Sequence, residues 1–253
     1  MSFLDDFVFR PKRLGILLIL LVMAGTAFTT WRNARINALA RSAVDRKSSV
    51  NVVKKLAGYS GDRAGEFLLL VASSAQNEAN RKAALQALVE RKDAARISRL
   101  SELLLPTDSL TIRQALANAI YQTGCTIECV KNILYYQERM YHGDRPSEET
   151  GANPPATLSE KELELQTSLD EILRNNKLFT GAVLEKRYGL DTPFPSPFAL
   201  ETVVRLGLTE ACPDLMRTYL TVNESVKASP EYKNVIGAVD KLGCRNRPIP
   251  SRP

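Results

Sequence analysis

Four cysteines and a single histidine are the residues of this sequence best suited to metal or redox chemistry. Cys125 and Cys129 are separated by three residues, whereas Cys212 and Cys244 stand far apart along the chain. A zinc site with four thiolates usually consists of two Cys-x2-Cys pairs, and this sequence contains neither. His142 is the one histidine, so a mixed Cys/His site has no better support. We therefore expect no metal and no cofactor.

The sequence also lacks a pattern that would indicate catalysis. A serine or cysteine nucleophile needs a base, and His142 lies beside Gly-Asp in a polar segment. Glu148 and Glu149 lie in the same segment, where no apolar surroundings would shift a carboxyl pKa. Neither a Gly-x4-Gly-Lys-Ser/Thr loop nor a Gly-x-Gly-x-x-Gly loop occurs. The sequence predicts a protein that is not an enzyme and takes no small-molecule substrate.

Disulfide bonds are the alternative use of the cysteines. Gly124 is expected to end one helix and Cys129 to lie in the first turn of the next, which brings Cys125 near Cys129; bridged Cα atoms lie ~4.4–6.8 Å apart. Cys212 and Cys244 lie at predicted helix ends, about one structural repeat apart. We predict the pairs Cys125–Cys129 and Cys212–Cys244. Four buried thiols in a reducing compartment are the other possibility.

An uncharged stretch near the N-terminus predicts a membrane segment. Residues 14–31 carry no charge, and as a helix they would extend ~27 Å, close to the ~30 Å of a bilayer's hydrocarbon core. Trp31 lies where an interfacial aromatic anchor is expected. We predict a short tail, 1–13, and a retained transmembrane helix, 14–31. The alternative is a cleaved signal peptide that ends at Gly25-Thr26-Ala27.

The charges beside this stretch bear on its orientation. The basic residues on its C-terminal side are more numerous, which slightly favours a cytoplasmic location for the main domain. Long domains, however, are translocated largely regardless of charge, and a short tail with three cations is the usual start of a signal anchor. An even number of cysteines suits an oxidising compartment. We predict a single-pass membrane protein with a cytoplasmic N-terminus and most of the chain in the periplasm or an equivalent compartment.

Two groups of residues in and after the span have predicted contacts. The stalk, 32–48, has the pattern of a basic amphipathic helix, and three of its residues are candidates for contact with lipid headgroups: Arg32, Arg35 and Arg41. A solvated stalk that packs on the next helix is the alternative. Three small residues within the span would allow close packing against another membrane helix: Ala24, Gly25 and Ala27.

The overall composition is that of a folded protein with a basic surface. Hydrophobic residues make up 44% of the chain and charged residues 25%, so a core can form. The net charge of +6 suits an anionic membrane surface or an acidic partner. Aromatic residues are only 7% and no basic stretch is interleaved with them, so we expect no nucleic-acid partner.

A helical repeat of about 30 residues follows the stalk. Residues 80–105 and 111–136 share apolar positions at helical spacing, and each block predicts two amphipathic helices. The matched pairs include Ala84/Ala115, Leu85/Leu116, Leu88/Ala119, Val89/Ile120, Ile97/Ile127, Leu100/Val130, Leu103/Ile133 and Leu104/Leu134. A fainter copy precedes them, with Val52, Val53, Leu56 and Ala57 in its first helix, Phe67, Leu70 and Val71 in its second, and Ser60 or Asp62 as N-cap.

Two segments carry a resemblance to a known family. RKAALQALVER and IRQALANAI look like first helices of HEAT-like repeats, with a basic residue before an Ala-Leu pair. The spacing is similar to that of short bacterial repeats of this superfamily. The resemblance covers residues 49–141 and implies an α-solenoid of stacked helix pairs with a tendency to act as a scaffold.

The second half of the chain continues the helical pattern after a break. Residues 142–158 are rich in proline, glycine and acidic residues and predict a linker or exposed loop. Degenerate helical repeats are expected over 159–244 and a flexible tail over 245–253. The predicted helices are 159–175, which starts with a Ser159/Glu162 capping box, 178–188, 197–206, 211–222 and 230–243, with N-caps at Ser196 and Ser229.

Two functions fit this all-α protein with an N-terminal anchor. In the first, the solenoid is a non-enzymatic scaffold or adaptor that docks a protein partner at the membrane surface. In the second, the chain is a structural or accessory subunit of a membrane complex, and its membrane helix packs against other subunits. Both predict protein partners and contact with membrane lipid.

Overall fold

The computed structural model describes six stretches of the chain: 11–93, 96–107, 109–142, 158–192, 195–222 and 224–246. The side chains of residues 11–17, 97 and 224 are likewise outside the description. The predicted tail 1–13, linker 142–158 and C-terminal segment 245–253 therefore fall largely outside the described residues.

The described part of the chain is all-α, as predicted, and has no strands. It contains twelve α-helices: α1 Pro11–Val44, α2 Val50–Ala57, α3 Asp62–Ser74, α4 Glu78–Glu90, α5 Ile97–Glu102, α6 Leu110–Thr123, α7 Ile127–Tyr141, α8 Glu160–Asn175, α9 Lys177–Tyr188, α10 Pro197–Leu206, α11 Cys212–Thr221 and α12 Pro230–Leu242. Short 3₁₀ helices lie at Thr209–Ala211, Glu224–Val226 and Cys244–Asn246. The chain divides into two compact units between Leu88 and Val89.

In the first unit, α1 is one continuous helix with two different environments. Its C-terminal part packs on α2 and α3 through Ile36, Ala40 and Ala43, all of which are buried. The stalk therefore has the apolar seam that its helical spacing indicated. Asn80 donates from Nδ2 to the carbonyl of Ala43 at 3.0 Å, which satisfies an acceptor near the C-terminal end of α1.

The predicted membrane span, 14–31, lies in the N-terminal part of α1. In the part of the chain that the structure describes, no helix combines the length and hydropathy that crossing a bilayer requires. The first residues of the predicted span, 14–17, belong to the stretch whose side chains are outside the description.

The faint first repeat forms the two predicted helices, but the predicted inward face of the second is only partly right. Val71 is buried as predicted and Phe67 is half-buried, whereas Leu70 is 44% exposed and Leu68 and Leu69 are buried instead. The small residues Ala64 and Gly65 are also buried in α3; they let the backbone approach its neighbours, and this determines which leucines face inward. The N-cap is Gly61, with φ of 104°, rather than Ser60 or Asp62.

The second unit is built from helices that pack on near neighbours in sequence. Each of α5, α6, α7, α8 and α10 packs on the helix two further along the chain. Five consecutive pairs also pack on each other: α5 on α6, α7 on α8, α8 on α9, α9 on α10, and α11 on α12. This pattern is compatible with the predicted α-solenoid, in which each helix pair buries its apolar face against the next pair.

The repeat found in the sequence has a counterpart in local structure. Leu85 and Leu116 occupy matched positions and are both buried. Arg81 and Arg113 are each the fourth residue of their helix, and each donates from Nε to a carbonyl nine residues earlier, Ala72 at 2.9 Å and Leu104 at 3.0 Å. In the repeat alignment Arg113 matches Lys82, so the two arginines differ by one position. In both helices an arginine shortly before the Ala-Leu pair thus binds a carbonyl at or just after the end of the preceding helix, where cations are favourable.

Helix starts in the second half follow the predicted caps. The Ser159/Glu162 capping box is formed in both directions. Ser196 and Ser229 accept hydrogen bonds from backbone amides of α10 and α12, and each is followed by proline at the first helical position. The observed bounds of the five helices from α8 to α12 therefore lie within one residue of those predicted.

Candidate functional site

Both predicted disulfide bonds are present. Cys125 is bonded to Cys129 with Cα atoms 5.5 Å apart, and Cys212 to Cys244 with Cα atoms 5.2 Å apart. In the first pair, Gly124, with φ of 94°, ends α6, and Thr126 caps α7, so the chain reverses between the two sulfurs. No free cysteine remains in the chain.

The N-terminal part of α1 presents apolar side chains to its surroundings. Six consecutive residues from Leu18 to Met23 are each 57–64% exposed. Phe28 is 60% exposed and Trp31 55% exposed, and the guanidinium of Arg35 lies over the Trp31 ring at 5.4 Å. The exposed apolar surface is much larger than isolated surface leucines would give, and such surfaces mark interaction sites.

The three arginines predicted to contact lipid headgroups have different surroundings. Arg32 binds the carbonyl of Ser60 and donates from Nη2 to its hydroxyl at 3.1 Å, so part of its guanidinium is used within the first unit. Arg35 covers Trp31. Arg41 is exposed and lines a shallow cavity between α1 and α3.

The three small residues predicted to pack membrane helices are all exposed. Ala24, Gly25 and Ala27 lie in the exposed part of α1, and an added Cβ at Gly25 would meet no atom within 4 Å. Their surface is therefore open to another helix.

The second unit contains a groove that the sequence did not predict. Its deeper part is a cavity of about 380 Å³ formed by side chains of α6, α7, α8 and α10. Apolar side chains line part of its wall: Met140, Leu158, Leu165, Leu169 and Phe198. Arg113, Tyr136, Glu162, Glu201, Thr202 and Arg205 add polar atoms. A cavity of this size that combines apolar and polar side chains can serve as a binding site.

A buried polar network lies at one side of this cavity. The amide of Gln137 donates to Asp170 Oδ1 at 2.8 Å, and Arg205 forms an ion pair with the same carboxylate. Arg205 also donates from Nη2 to Gln137 Oε1 at 3.2 Å. The network joins α7, α8 and α10, and its charges compensate one another in a site that is largely removed from water.

Two buried polar atoms beside this cavity have no hydrogen-bond partner among the described residues: Nε of Arg205, within the network, and the hydroxyl of Thr202. The Thr202 side chain is 1% exposed and lines the cavity. Most buried hydroxyls are hydrogen-bonded, because an unpaired one costs free energy. The hydroxyl of Thr202 is therefore available to donate to, or accept from, a bound molecule.

Arg113 and Tyr136 form a second polar position in the cavity wall. Arg113 is 4% exposed, and its guanidinium lies 5.5 Å from the ring centroid of Tyr136. Burial raises the pKa of the Tyr136 hydroxyl, while the nearby Arg113 opposes that rise. Tyr136 is therefore protonated at neutral pH and can donate a hydrogen bond.

The cavity continues along the surface of the second unit towards α12. A second, more open cavity of about 300 Å³ adjoins the first, and Tyr141 and Glu201 line both. Lys233, Gly237 and Lys241 line its other side. We call the two cavities together the α10 groove, because α10 contributes residues to both.

An aromatic cluster supports the wall of the α10 groove. The ring of Phe198 lies 5.8 Å from Tyr141 and 5.1 Å from Tyr188, measured between centroids. The Tyr188 hydroxyl donates to Glu138 Oε2 at 3.0 Å. Burial, and then the bond to Glu138, raise the pKa of Tyr188 far above its usual range.

Comparison with known proteins adds no relative. No protein-family model matches the chain, and it has no significant similarity to a curated protein or to a solved structure.

The described stretches of the chain contain no group of three or more His, Cys, Asp or Glu residues placed to hold a metal ion.

Proposed function

We propose that this chain is a non-enzymatic adaptor that is anchored in a membrane by α1 and docks a protein partner in the α10 groove. The observation that carries the proposal is the groove itself, which combines an apolar cavity with polar groups of both signs. Such a surface suits a peptide segment, since a peptide offers apolar side chains and a backbone that both donates and accepts hydrogen bonds.

The two environments of α1 support the anchor. Apolar residues from Leu18 to Trp31 are exposed, whereas Ile36 and the seam after it are buried against α2 and α3. The uncharged run of the sequence, 14–31, ends where this change occurs. Trp31 and Arg35 lie at the boundary, where aromatic and basic side chains favour the lipid headgroup region.

The two disulfide bonds support an oxidising compartment for the second unit. Such bonds form and persist outside the cytoplasm and are rare within it. We therefore propose that the N-terminal tail lies in the cytoplasm and that the α10 groove lies in the periplasm or an equivalent compartment. The packing of alternate helices in the second unit also supports a HEAT-like solenoid, a fold that commonly presents a binding surface to proteins.

Site-specific photo-crosslinking in intact membranes tests the docking function. A photoreactive residue at position 233, on the rim of the groove, should capture a partner protein. The same residue at position 186, which is exposed on α9, should not. A substitution that occludes the groove, Gly237→Leu, should abolish the crosslink from position 233. Capture that is equal at both positions, or unaffected by Gly237→Leu, would refute the groove as the docking site.

Anchoring is tested separately by membrane fractionation and intact-mass analysis. The full-length chain should sediment with membranes and resist extraction by high salt or alkaline carbonate, because the anchor is apolar rather than electrostatic. A mature protein that begins at Phe28 would show that the segment is a cleaved signal peptide.

A structural role in a membrane complex is the alternative function. The exposed surface around Gly25, where an added Cβ meets nothing, favours it. Gly25→Leu would block close approach of another membrane helix while leaving the α10 groove unchanged. Loss of co-purifying membrane proteins from this variant, together with an intact crosslink from position 233, would favour the subunit role.

A further inference from the structure

The wall of the α10 groove that α12 provides has a regular arrangement of charge and space. Lys233, Gly237 and Lys241 are spaced four residues apart, so they share one face of the helix, and all three line the groove. An added Cβ at Gly237 would meet no atom within 4 Å. The face therefore has an open position between two flexible cationic side chains, and a peptide backbone can approach it closely there.

The two lysines are available for ion pairs with a bound molecule. Both are exposed, and neither forms an ion pair with another residue in the part of the chain that the structure describes. Glu201, which lies where the two cavities meet, is the one acidic residue among the described residues that line this part of the groove. The described lining of the outer cavity is thus net positive, whereas the described charges of the inner cavity are balanced: Arg113 and Arg205 against Glu162 and Glu201.

The inner cavity favours an apolar side chain and a neutral backbone. Phe198, Leu165 and Leu169 supply apolar wall, and burial of a large side chain there would contribute through the hydrophobic effect. The unpaired hydroxyl of Thr202 can accept a backbone N–H or donate to a backbone carbonyl. With both signs of charge present, this cavity gives no reason to prefer a charged group.

We infer that the α10 groove binds an extended, acidic peptide segment of the partner protein, with a large apolar residue beside Phe198 and acidic residues against Lys233 and Lys241. The inference rests on the proposed docking function and adds the chemistry of the docked segment. Lys233 and Lys241 are ~12 Å apart along the helix axis, which is the length of about four residues in an extended chain. Two acidic side chains within such a segment can reach both lysines.

Other occupants fit the same surface less well. A basic segment would place like charges beside the two lysines, which costs free energy and slows encounter. A long hydrocarbon chain would leave the inner cavity and lie against Lys233, Asn234 and Lys241, which are polar.

Fluorescence polarisation with the full-length chain in a non-ionic detergent tests the inference. The acidic probe is a fluorescein-labelled octapeptide, Gly-Ser-Asp-Phe-Asp-Glu-Ser-Gly. In a basic probe the three acidic residues are lysine, and in an anchorless probe the phenylalanine is alanine. The acidic probe should bind about two- to thirtyfold more tightly than the basic probe, the range expected for two exposed ion pairs. The anchorless probe should bind at least about tenfold more weakly than the acidic probe, since it buries no large apolar side chain.

Charge reversal at the lysines gives the decisive comparison. Lys233→Glu/Lys241→Glu should reverse the preference, so that the basic probe binds more tightly than the acidic one. The control Lys54→Glu/Lys55→Glu makes the same change in net charge on exposed positions of α2 and should leave the preference unchanged. A preference that does not reverse, or that changes equally in the control, would overturn the inference.

Matched glycine variants separate occlusion of the groove from misfolding. Gly237 in α12 and Gly181 in α9 are both half-buried helical glycines with open space at the Cβ position. Leucine in place of either should increase helix propensity rather than destabilise the fold. Only Gly237→Leu should weaken the acidic probe.

The outcomes also separate this inference from the docking function. Equal binding of the acidic and basic probes, or no saturable binding of either, would overturn the peptide chemistry. Photo-crosslinking of a partner from position 233, abolished by Gly237→Leu, would in that case still support docking in the groove. Loss of that crosslinking result would remove the docking function itself.

Discussion

The two disulfide bonds should stabilise the second unit to different extents, because they close loops of very different length. Cys212–Cys244 spans 32 positions and Cys125–Cys129 only four. If a bridge acts by restricting the unfolded chain, these separations correspond to about 3.7 and about 1.9 kcal/mol of unfolding free energy. Loss of the longer bridge should therefore cost about 1.8 kcal/mol more than loss of the shorter one.

Urea unfolding followed by circular dichroism at 222 nm measures the difference. The variant Cys125→Ala/Cys129→Ala keeps only the longer bridge, and Cys212→Ala/Cys244→Ala keeps only the shorter one. Comparing the oxidised and reduced forms of each variant measures the effect of a single bond, because the alanines are present in both forms. With m of about 2 kcal/mol/M, the midpoint shift on reduction should be ~0.9 M larger for the longer bridge. Equal shifts, or a larger shift for the four-residue loop, would refute the reasoning from chain entropy.

Three further changes test the core, the repeat and the aromatic cluster. Leu116→Ala should lower the free energy of unfolding by ~2–5 kcal/mol, the range for a fully buried leucine. The control Leu163→Ala, at a position 55% exposed, should change the thermal midpoint little. Equal effects of the two substitutions would show that the helix faces are misassigned. Arg113→Met leaves the carbonyl of Leu104 without its Nε donor and should cost ~1–3 kcal/mol, whereas an unchanged urea midpoint would exclude an energetic role for this bond. Because the folded-state pKa of Tyr188 is raised, its contribution to stability is present below the unfolded pKa of ~10 and is lost as pH rises further. The free energy of unfolding should therefore fall less steeply with alkaline pH in Tyr188→Phe than in the original chain. Identical slopes would contradict the raised pKa.

The helices and the Cys125–Cys129 bond were predictable because their determinants are local, whereas the Cys212–Cys244 bond was predicted from the spacing of the repeat. Ser159 with Glu162, Ser196 before a proline, and Ser229 before a proline mark helix starts through bonds formed within a few residues. Gly124 and Gly243 both adopt positive φ at helix ends and each precedes a bridged cysteine. Such features depend on neighbouring residues and can be read without knowledge of the tertiary fold.

The inward face of α3 could not be read in the same way. Residues 67–72 are apolar without interruption, so more than one face satisfies the helical spacing. The structure buries Leu68 and Leu69 because Ala64, Gly65 and Ala72 are small enough to lie against neighbouring helices. Residue size, rather than hydrophobicity, therefore determines which face of α3 is buried.

The α10 groove was missed because its polar residues come from five helices and each looks like a surface residue in its own segment. One position carried a signal. Thr202 lies four residues from both Phe198 and Leu206, and all three are buried on one face of α10. A hydroxyl in the middle of an apolar face must find a partner or remain unpaired, and within the described chain it remains unpaired. A polar residue that interrupts an apolar stripe is therefore the sequence feature that points to a binding surface here. Thr202→Val tests this directly. The variant should fold at least as stably as the original chain, since it removes an unsatisfied hydroxyl, and it should bind the acidic probe more weakly.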